Sequence, residues 1–149
     1  MSFQDELNTK LKEAMREKNT VALESLRAIK SAILLLQTQS GAKETPDDSE
    51  ITKLLQKLVK QRKESASIFR EQGRDDLAEV EEAQIEVISQ FLPEQLSSLA
   101  VEKVIDEVIA TVGATTMKDM GRVMGMANKQ LAGQADGKLI SEIVKKRLG

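Results

Sequence analysis

The sequence contains no cysteine and no histidine among its 149 residues, and it also lacks tryptophan and tyrosine. The absence of cysteine excludes disulfides, thiolate nucleophiles, iron–sulfur clusters and cysteine-ligated zinc. The absence of histidine excludes a Ser-His-Asp triad and an imidazole-bound zinc hydroxide. Most familiar hydrolytic mechanisms therefore cannot be built from this chain alone, and no metal or other cofactor is expected.

Proline is almost absent as well: only Pro46 and Pro93 occur, and both lie at natural breaks between helical patterns. No run of residues alternates as a strand would. Hydrophobic residues make up 40% of the chain, which is enough for a real core. We predict an all-α protein with an N-terminal bundle of about four helices over residues 1–92 and a three-helix domain over 93–149. Pro93 sets this boundary because it cannot continue the helix before it.

Apolar residues at helical spacing predict which face of each helix packs in the core, and residues 40–47 are a loop by composition. Capping residues predict helix starts at Ser2, at Asp48 or Ser49, and at Ser97 or Ser98. A helix over Met117–Leu131 is predicted before the last one, which runs from Lys138 to Leu148. The predicted core positions of the other helices are Leu7, Leu11 and Met15; Ala22, Leu26, Ile29 and Ile33; Ile51, Leu55, Leu58 and Phe69; Leu77, Val80, Ile85, Ile88 and Phe91; Val101, Val104, Ile105, Val108, Ile109 and Val112; and Leu139, Ile140, Ile143, Val144 and Leu148.

Long hydrophobic runs are missing too, since the longest, 32–36, is far shorter than the roughly 20 residues that span a bilayer. The first residues show neither the basic nor the apolar segment of a secretion signal. We therefore expect a soluble, cytoplasmic protein that does not engage a membrane.

Positive charge is concentrated near the C-terminus, although the whole chain has a net charge of −2. Residues 117–149 hold seven Lys/Arg against three Asp/Glu, which favours contact with a polyanion. Contacts to phosphates position RNA without reading its sequence, and the scarcity of aromatics argues for structured RNA over stacked single strands. The alternative is a solvated surface, with the last turn compensating the helix dipole. The candidate RNA-binding residues here are Lys118, Arg122, Lys129, Lys138, Lys145, Lys146 and Arg147.

A second basic cluster lies in the predicted third helix, where Lys53, Lys57 and Lys60 share the polar face. Lys57 and Lys60 are further RNA-binding candidates, and Arg27 and Lys30 of the second helix would join them if the two faces coincide. Arg62 falls on the apolar stripe, where a structural ion pair is the favoured interpretation. Two acidic clusters, at 47–50 and 79–86, fit helix N-terminal charge and a solvated helix face better than a metal site.

Four glycines are candidates for a close approach by another backbone: Gly121, Gly125, Gly133 and Gly137. Each glycine inside a helix costs about 1 kcal/mol relative to alanine, so Gly121 and Gly125 need a reason. Tight helix packing is the favoured reason, and an approaching RNA or partner is the alternative. Gly133 and Gly137 fit a helix end and a turn. Methionines share one face at 117, 120 and 124, with Met126 pointing elsewhere, and this spacing favours core over a binding surface.

Three segments carry a resemblance to a known family: Phe91-Leu92-Pro93-Glu94-Gln95-Leu96, residues 119–125, and residues 133–140. In this order they resemble the signature of the GatB/YqeY family, and residues 26–32 and 60–65 resemble its stand-alone members. The resemblance covers nearly the whole chain. It implies that the C-terminal unit is similar to the tail domain of the B subunit of tRNA-dependent amidotransferase, which touches the outer body of tRNA. Related modules are appended to some glutaminyl-tRNA synthetases.

The resemblance implies a role in translation, but the large catalytic cradle of the B subunit has no counterpart in 149 residues. The family label, carbon–nitrogen ligase activity with glutamine as amido-N-donor, is therefore expected to be inherited rather than intrinsic. The leading hypothesis is a non-catalytic module that binds tRNA or other structured RNA. The alternatives are an adaptor that docks on an amidotransferase or aminoacyl-tRNA synthetase, and an accessory that supports amide transfer without supplying catalytic groups.

Overall fold

The computed structural model describes residues 2–39 and 46–149. Within these ranges the chain forms seven α-helices and no strand, which confirms the predicted all-α class. None of the helices described there is long and apolar enough to cross a membrane. Most of the loop predicted at 40–47 lies outside the described residues. The helices are α1 (Phe3–Glu17), α2 (Thr20–Gln39), α3 (Asp48–Glu71), α4 (Asp75–Ser89), α5 (Ser98–Val112), α6 (Met120–Gln130) and α7 (Gly137–Leu148).

The helices begin and end at residues that satisfy their free backbone groups. Ser2 accepts a hydrogen bond from the backbone N–H of Asp5, whose carboxylate accepts one from Ser2, so the predicted start of α1 is confirmed. Asp47 caps α3 at 2.8 Å from the nitrogen of Glu50, one residue earlier than predicted. Gly113 ends α5 with φ +67°, a backbone conformation that residues other than glycine rarely adopt.

The chain divides into two compact units, Met1–Leu92 and Pro93–Gly149. In the N-terminal unit α4 packs extensively against α3 and also against α2, while α1 packs against α2. Most predicted core positions lie in this core, but Met15 and Val80 are exposed and the prediction was wrong there. The adjacent Ala14 on α1 and, two residues before Val80, Ala78 on α4 are buried instead.

Arg62 has a structural role in the N-terminal unit, as expected, although its described partners are uncharged. Its Nε donates to Gln84 Oε1 at 2.9 Å and its Nη1 donates to the Leu58 carbonyl at 3.1 Å. Gln84 in turn donates from Nε2 to Glu24 Oε2 at 3.3 Å. This chain of hydrogen bonds links α3, α4 and α2. The half-buried guanidinium of Arg62 thus has hydrogen-bond acceptors in the side-chain amide of Gln84 and in the backbone of its own helix.

The core of the C-terminal unit is built from α5, α6 and α7, which all contact one another. Val101, Ile105 and Val108 of α5 are fully buried, and the remaining predicted positions of this helix pack around them. A 3₁₀ turn at Met117–Asp119 comes before α6, so this helix begins three residues later than predicted. The backbone N–H of Met120, the first residue of α6, donates to the carbonyl of Met117 in this turn.

Two of the segments that carry the family resemblance lie against each other in this unit. Gln95 Nε2 donates to the carbonyl of Gly133 at 2.6 Å and to that of Pro93 at 2.9 Å. Leu96 donates its backbone N–H to Gln134 at 2.9 Å, and Gln134 Nε2 donates to the Glu94 carbonyl at 3.3 Å. Residues 93–96 and 133–134 therefore form a hydrogen-bonded clasp that holds the start of the unit on the turn before α7.

Candidate nucleic-acid interface

The start of α6 is organised by the carboxylate of Asp119. It accepts hydrogen bonds from the backbone N–H groups of Thr115, at 3.1 Å, and Thr116, at 3.4 Å, and from Arg122 Nη2 at 2.7 Å. The bond from the Thr115 backbone is the largest of the effects that lower the pKa of Asp119, followed by the bond from Arg122. Asp119 therefore stays ionised at neutral pH and holds the Arg122 guanidinium at the start of the helix.

The outward face of α6 carries two glycines one turn apart. Gly121 and Gly125 are exposed, and a Cβ built on either one would meet no atom within 4 Å. The predicted tight helix packing at these positions is therefore wrong, because no described part of the chain approaches them. At 100° per residue, Arg122 and Lys129 lie on the same face as the glycines, opposite the buried Val123 and Ala127. The result is a basic helix face with an uncovered backbone.

The methionines of this region do not follow the predicted stripe. Met120 and Met124 are half-buried against the core, as predicted, but Met126 packs against it as well. Met117 lies in the 3₁₀ turn and is exposed, because that turn has a different period from the α-helix assumed for it. Three of these four methionines thus pack at the edge of the core.

Gly133 has a local role, whereas Gly137 is exposed and a Cβ built on it would meet no atom within 4 Å. Gly133 is buried with φ +75°, and its carbonyl accepts the bond from Gln95 within the clasp. Gly137 is the first residue of α7, next to Asp136, which accepts a hydrogen bond from the backbone N–H of Lys138 at 3.3 Å. A helix end and a turn were the favoured prediction; Gly133 lies in the turn after α6, which ends at Gln130, and Gly137 begins α7.

The predicted basic residues of this unit divide into paired and unpaired groups. All seven are exposed. Arg122 is bound to Asp119, while Arg147 Nε lies 2.9 Å from Asp106 Oδ1 and its Nη2 lies 3.9 Å from Glu102. Over the described part of the chain, no carboxylate lies within 4.0 Å of the five lysines, which are Lys118, Lys129, Lys138, Lys145 and Lys146. The lysines are therefore the side chains available to an external anion.

On α7 the lysines occupy the side away from the core. Lys138 and Lys145 are seven residues apart and share a face, with Lys146 beside them and Ile140 and Val144 buried opposite. Glu142 lies among the three lysines and reduces their local charge. Arg147 points elsewhere, since its partners Asp106 and Glu102 belong to α5. The basic face of α7 thus consists of three lysines.

Lys57 and Lys60 lie on α3 in the N-terminal unit and are exposed. Lys57 lines a groove between α2 and α3, whereas Lys30 lines a smaller one between α1 and α2. The single basic groove that would have joined Lys30 to Lys57 is therefore not formed. The packing side of α2 separates them, which the sequence of either helix does not reveal.

The described residues contain no group of three or more carboxylates that could hold a metal ion. The pKa shifts among them belong to Arg70, Arg74, Asp76 and Asp119, and the largest cause of each is a hydrogen bond within the protein: between Arg70 and Glu82, between Arg74 and Asp76, and from the Thr115 backbone to Asp119. The exposed lysines of α6, α7 and the turn before α6 can bind an anion.

Comparison with known proteins adds independent information. The sequence model of a family described as Yqey-like protein matches residues 4–148. The chain is 34% identical over 147 residues to the Altered inheritance of mitochondria protein 41, mitochondrial, of Pyrenophora tritici-repentis, covering 96% of this chain and 79% of that protein. The protein of the same name from Clavispora lusitaniae is 33% identical, covering 84% and 71%.

A shorter similarity extends to a tRNA-dependent enzyme. The chain is 44% identical over 57 residues to a glutamyl-tRNA(Gln) amidotransferase subunit of Thermococcus gammatolerans, which covers 36% of this chain and 9% of that protein. The similarity thus involves a small part of a much larger protein. Two of the relatives are named as mitochondrial, and the cytoplasmic location expected for this chain stays a prediction.

Proposed function

Because this chain belongs to the YqeY-like protein family, we propose that it is a non-catalytic RNA-binding module that engages tRNA or another structured RNA through its C-terminal unit. The contact surface consists of the outward faces of α6 and α7. Its residues are Gly121, Arg122, Gly125 and Lys129 of α6, Lys118 of the preceding turn, and Lys138, Lys145 and Lys146 of α7. We refer to them as the basic surface.

One observation carries the proposal: an uncovered helix backbone at Gly121 and Gly125 lies on the same face as Arg122 and Lys129. A helix that exposes two glycines with free space above them is less stable than one with alanines. Such a cost is offset when another backbone, such as a phosphodiester chain, approaches closely. The basic side chains beside the glycines attract phosphates, and the absence of side chains at the glycines allows the phosphates to reach the helix backbone.

The charge distribution within the unit supports the same surface. Residues 93–149 carry eight Lys/Arg and seven Asp/Glu, so the unit is nearly neutral overall. Three of the acidic residues, Glu102, Asp106 and Glu107, belong to α5. Glu102 and Asp106 are within reach of Arg147. With Lys103 counted, α5 has a net charge of −2, whereas five of the six lysines of the unit belong to the turn before α6 and to α6 and α7.

The choice of tRNA rests on the relative whose name includes glutamyl-tRNA(Gln). The three aromatic residues of the chain, all phenylalanine, offer little for base stacking. Lysines without aromatic neighbours bind phosphates and recognise the shape of a folded RNA. Purified total tRNA is accordingly the first ligand to test.

The test is binding of fluorescently labelled total tRNA to the full chain across a salt series. We expect the dissociation constant to rise linearly in log–log form, by about 30-fold between 50 and 200 mM salt if about three phosphates are contacted. The variant Lys138→Glu/Lys145→Glu/Lys146→Glu reverses the face of α7 and is expected to remove detectable binding.

The matched control is Lys12→Glu/Lys63→Glu/Lys103→Glu, which makes the same change in total charge at exposed lysines outside the basic surface. It is expected to bind within about threefold of the unmodified chain, since long-range attraction is screened beyond roughly 10 Å. Equal losses in both variants would show that net charge and not this surface controls binding. Absence of binding at low salt would reject the RNA module.

A further inference from the structure

We propose that the groove between α2 and α3 in the N-terminal unit is a docking site for an amphipathic helix of a partner protein, one whose apolar stripe is flanked by acidic residues. This inference concerns a different part of the molecule from the basic surface and does not depend on RNA binding. It rests on the shape of the groove, its apolar lining and the charge of its rim.

The groove follows from how the helices of this unit pack. α4 packs along both α3 and α2, whereas α2 and α3 contact each other over a much shorter stretch. Two helices held together by a third on one side leave a groove on the other, and the described residues cover its side chains only in part. The resulting groove has a volume of about 430 Å³.

Leucines from both helices form the floor and walls of the groove. Leu35 and Leu36 come from α2, and Leu54 and Leu58 come from α3. Leu35 is 57% exposed, and the other three are half-buried. A single exposed leucine is normal on a protein surface, but four that converge on one concave site mark a place where apolar surface is to be covered.

The length of the groove suits a helix. On α3 its lining extends from Glu50 to Gln61, which at 1.5 Å per residue is about 16 Å, or three helical turns. An amphipathic helix presents apolar side chains at i, i+3 or i+4, and i+7 over this distance. The polar lining residues, among them Gln39 and Gln61, stand near the ends and edges. The backbone N–H and C=O groups of a bound helix would be hydrogen-bonded within that helix, so contact with the apolar groove would leave none of them without a partner.

The rim determines the charge of the partner. Lys53 and Lys57 lie one turn apart on α3, both are exposed, and no carboxylate among the described residues lies within 4.0 Å of either. Glu50 is the one acidic residue of the lining, at the end where α3 begins. The rim is thus net positive along its middle, and acidic residues on one flank of a bound helix would be complementary to Lys53 and Lys57.

The experiment uses the full chain and three labelled synthetic peptides of 16 residues. One has leucines at i, i+4, i+7 and i+11 with glutamates beside them, the second has lysines in place of the glutamates, and the third has the first composition in scrambled order. We expect the glutamate peptide to bind at least about tenfold more tightly than the lysine peptide, with the scrambled peptide weakest. Equal affinities for all three, or no binding, would overturn the proposal.

Variants locate the site. Leu35→Glu is expected to weaken binding of the glutamate peptide about tenfold or more, because it places a charge in the apolar groove beside an acidic ligand. Leu34→Glu is the matched control: its residue is the next one on α2, is 53% exposed and lines the other groove, so the affinity should not change. Lys53→Glu/Lys57→Glu should reverse the preference between the two charged peptides.

Two outcomes would reject the helix as occupant. If Leu34→Glu and Leu35→Glu lose affinity equally, the peptide binds exposed leucines in general and the groove has no special role. If labelled dodecanoate occupies the groove and the glutamate peptide does not displace it, the site holds a small anionic amphiphile. Circular dichroism of each variant monitors helix content, and Leu35→Ala provides a smaller perturbation in the same assay should Leu35→Glu reduce it.

Discussion

The two units of this protein expose different kinds of surface, although both are packed entirely from helices. The N-terminal unit, with fourteen Lys/Arg and seventeen Asp/Glu, leaves leucines uncovered in grooves between its helices. The C-terminal unit keeps large apolar residues inside, apart from Leu99 and Met117, and exposes lysines and a glycine-lined helix face. The first surface suits an apolar segment of a protein, and the second suits a chain of phosphates.

In this small helical protein the binding surfaces lie where helix packing leaves side chains or backbone exposed. Helices that diverge leave apolar grooves, which attract other helices. When a helix is packed on one side only, the residues on its outward face determine what it can bind; on α6 these residues include glycine and lysine.

The largest effect is expected from Ile105→Ala in the centre of the C-terminal core. Ile105 is fully buried, and truncation of such a residue costs about 2–5 kcal/mol in the free energy of unfolding through lost burial and a residual cavity. Amide hydrogen exchange is expected to accelerate in α5–α7, which share this core, more than in α1–α4. Uniform acceleration over both units would contradict the division into separate cores.

The next effect concerns the clasp. Gln95→Ala leaves the buried carbonyl of Gly133 without the donor that lies 2.6 Å away, and an unsatisfied buried acceptor costs about 1–3 kcal/mol. Chemical denaturation should show this loss. Gln90→Ala is a control outside the clasp, at an exposed residue for which the described structure shows no side-chain hydrogen bond. A loss no larger than that of the control would mean that the clasp contributes little to stability.

A smaller effect of opposite sign is expected at Gly125. Alanine there meets open space in the middle of α6, so Gly125→Ala should raise the free energy of unfolding by about 1 kcal/mol. The same change should weaken tRNA binding, because a methyl group then stands where the phosphate chain approaches. Gly113→Ala is the contrasting control, since φ is +67° there and alanine is strained. A stabilised Gly125→Ala variant with unchanged RNA affinity would remove the glycines from the proposed interface.

The smallest effect is a dependence on pH that arises from Asp119. Its pKa is lower in the folded protein than in the unfolded chain, mainly through the hydrogen bond from the Thr115 backbone, so its contribution to stability is present above the unfolded pKa of about 4. The contribution is lost as the pH falls through the lowered folded value. Asp119→Asn should therefore reduce stability at pH 7 and leave a shallower acid dependence below pH 4. Acid unfolding profiles of the two proteins provide the measurement, and parallel profiles would count against this role.

The sequence was sufficient for the helices and for most of the core. Capping residues such as Ser2 and Ser97 and apolar spacing in α5 are local features, and local features are visible in one dimension. The predicted core positions were wrong where burial depends on how a neighbouring helix packs. Met15 and Val80 are at acceptable positions on their own helices, but the packing of the neighbouring helices buries Ala14 and Ala78 and leaves both larger side chains exposed.

The candidate binding site shows the same division. That residues 117–149 are basic follows from the amino acids alone, and so does the cost of glycines inside α6. Only the tertiary structure shows which basic side chains have a partner, because Asp106 lies 41 residues before the Arg147 that it binds. Only the fold decided that Gly121 and Gly125 face open space, that Lys30 and Lys57 line different grooves, and that four leucines converge between α2 and α3. Local composition determines what each helix offers, whereas the contacts between helices distant in sequence determine what remains exposed.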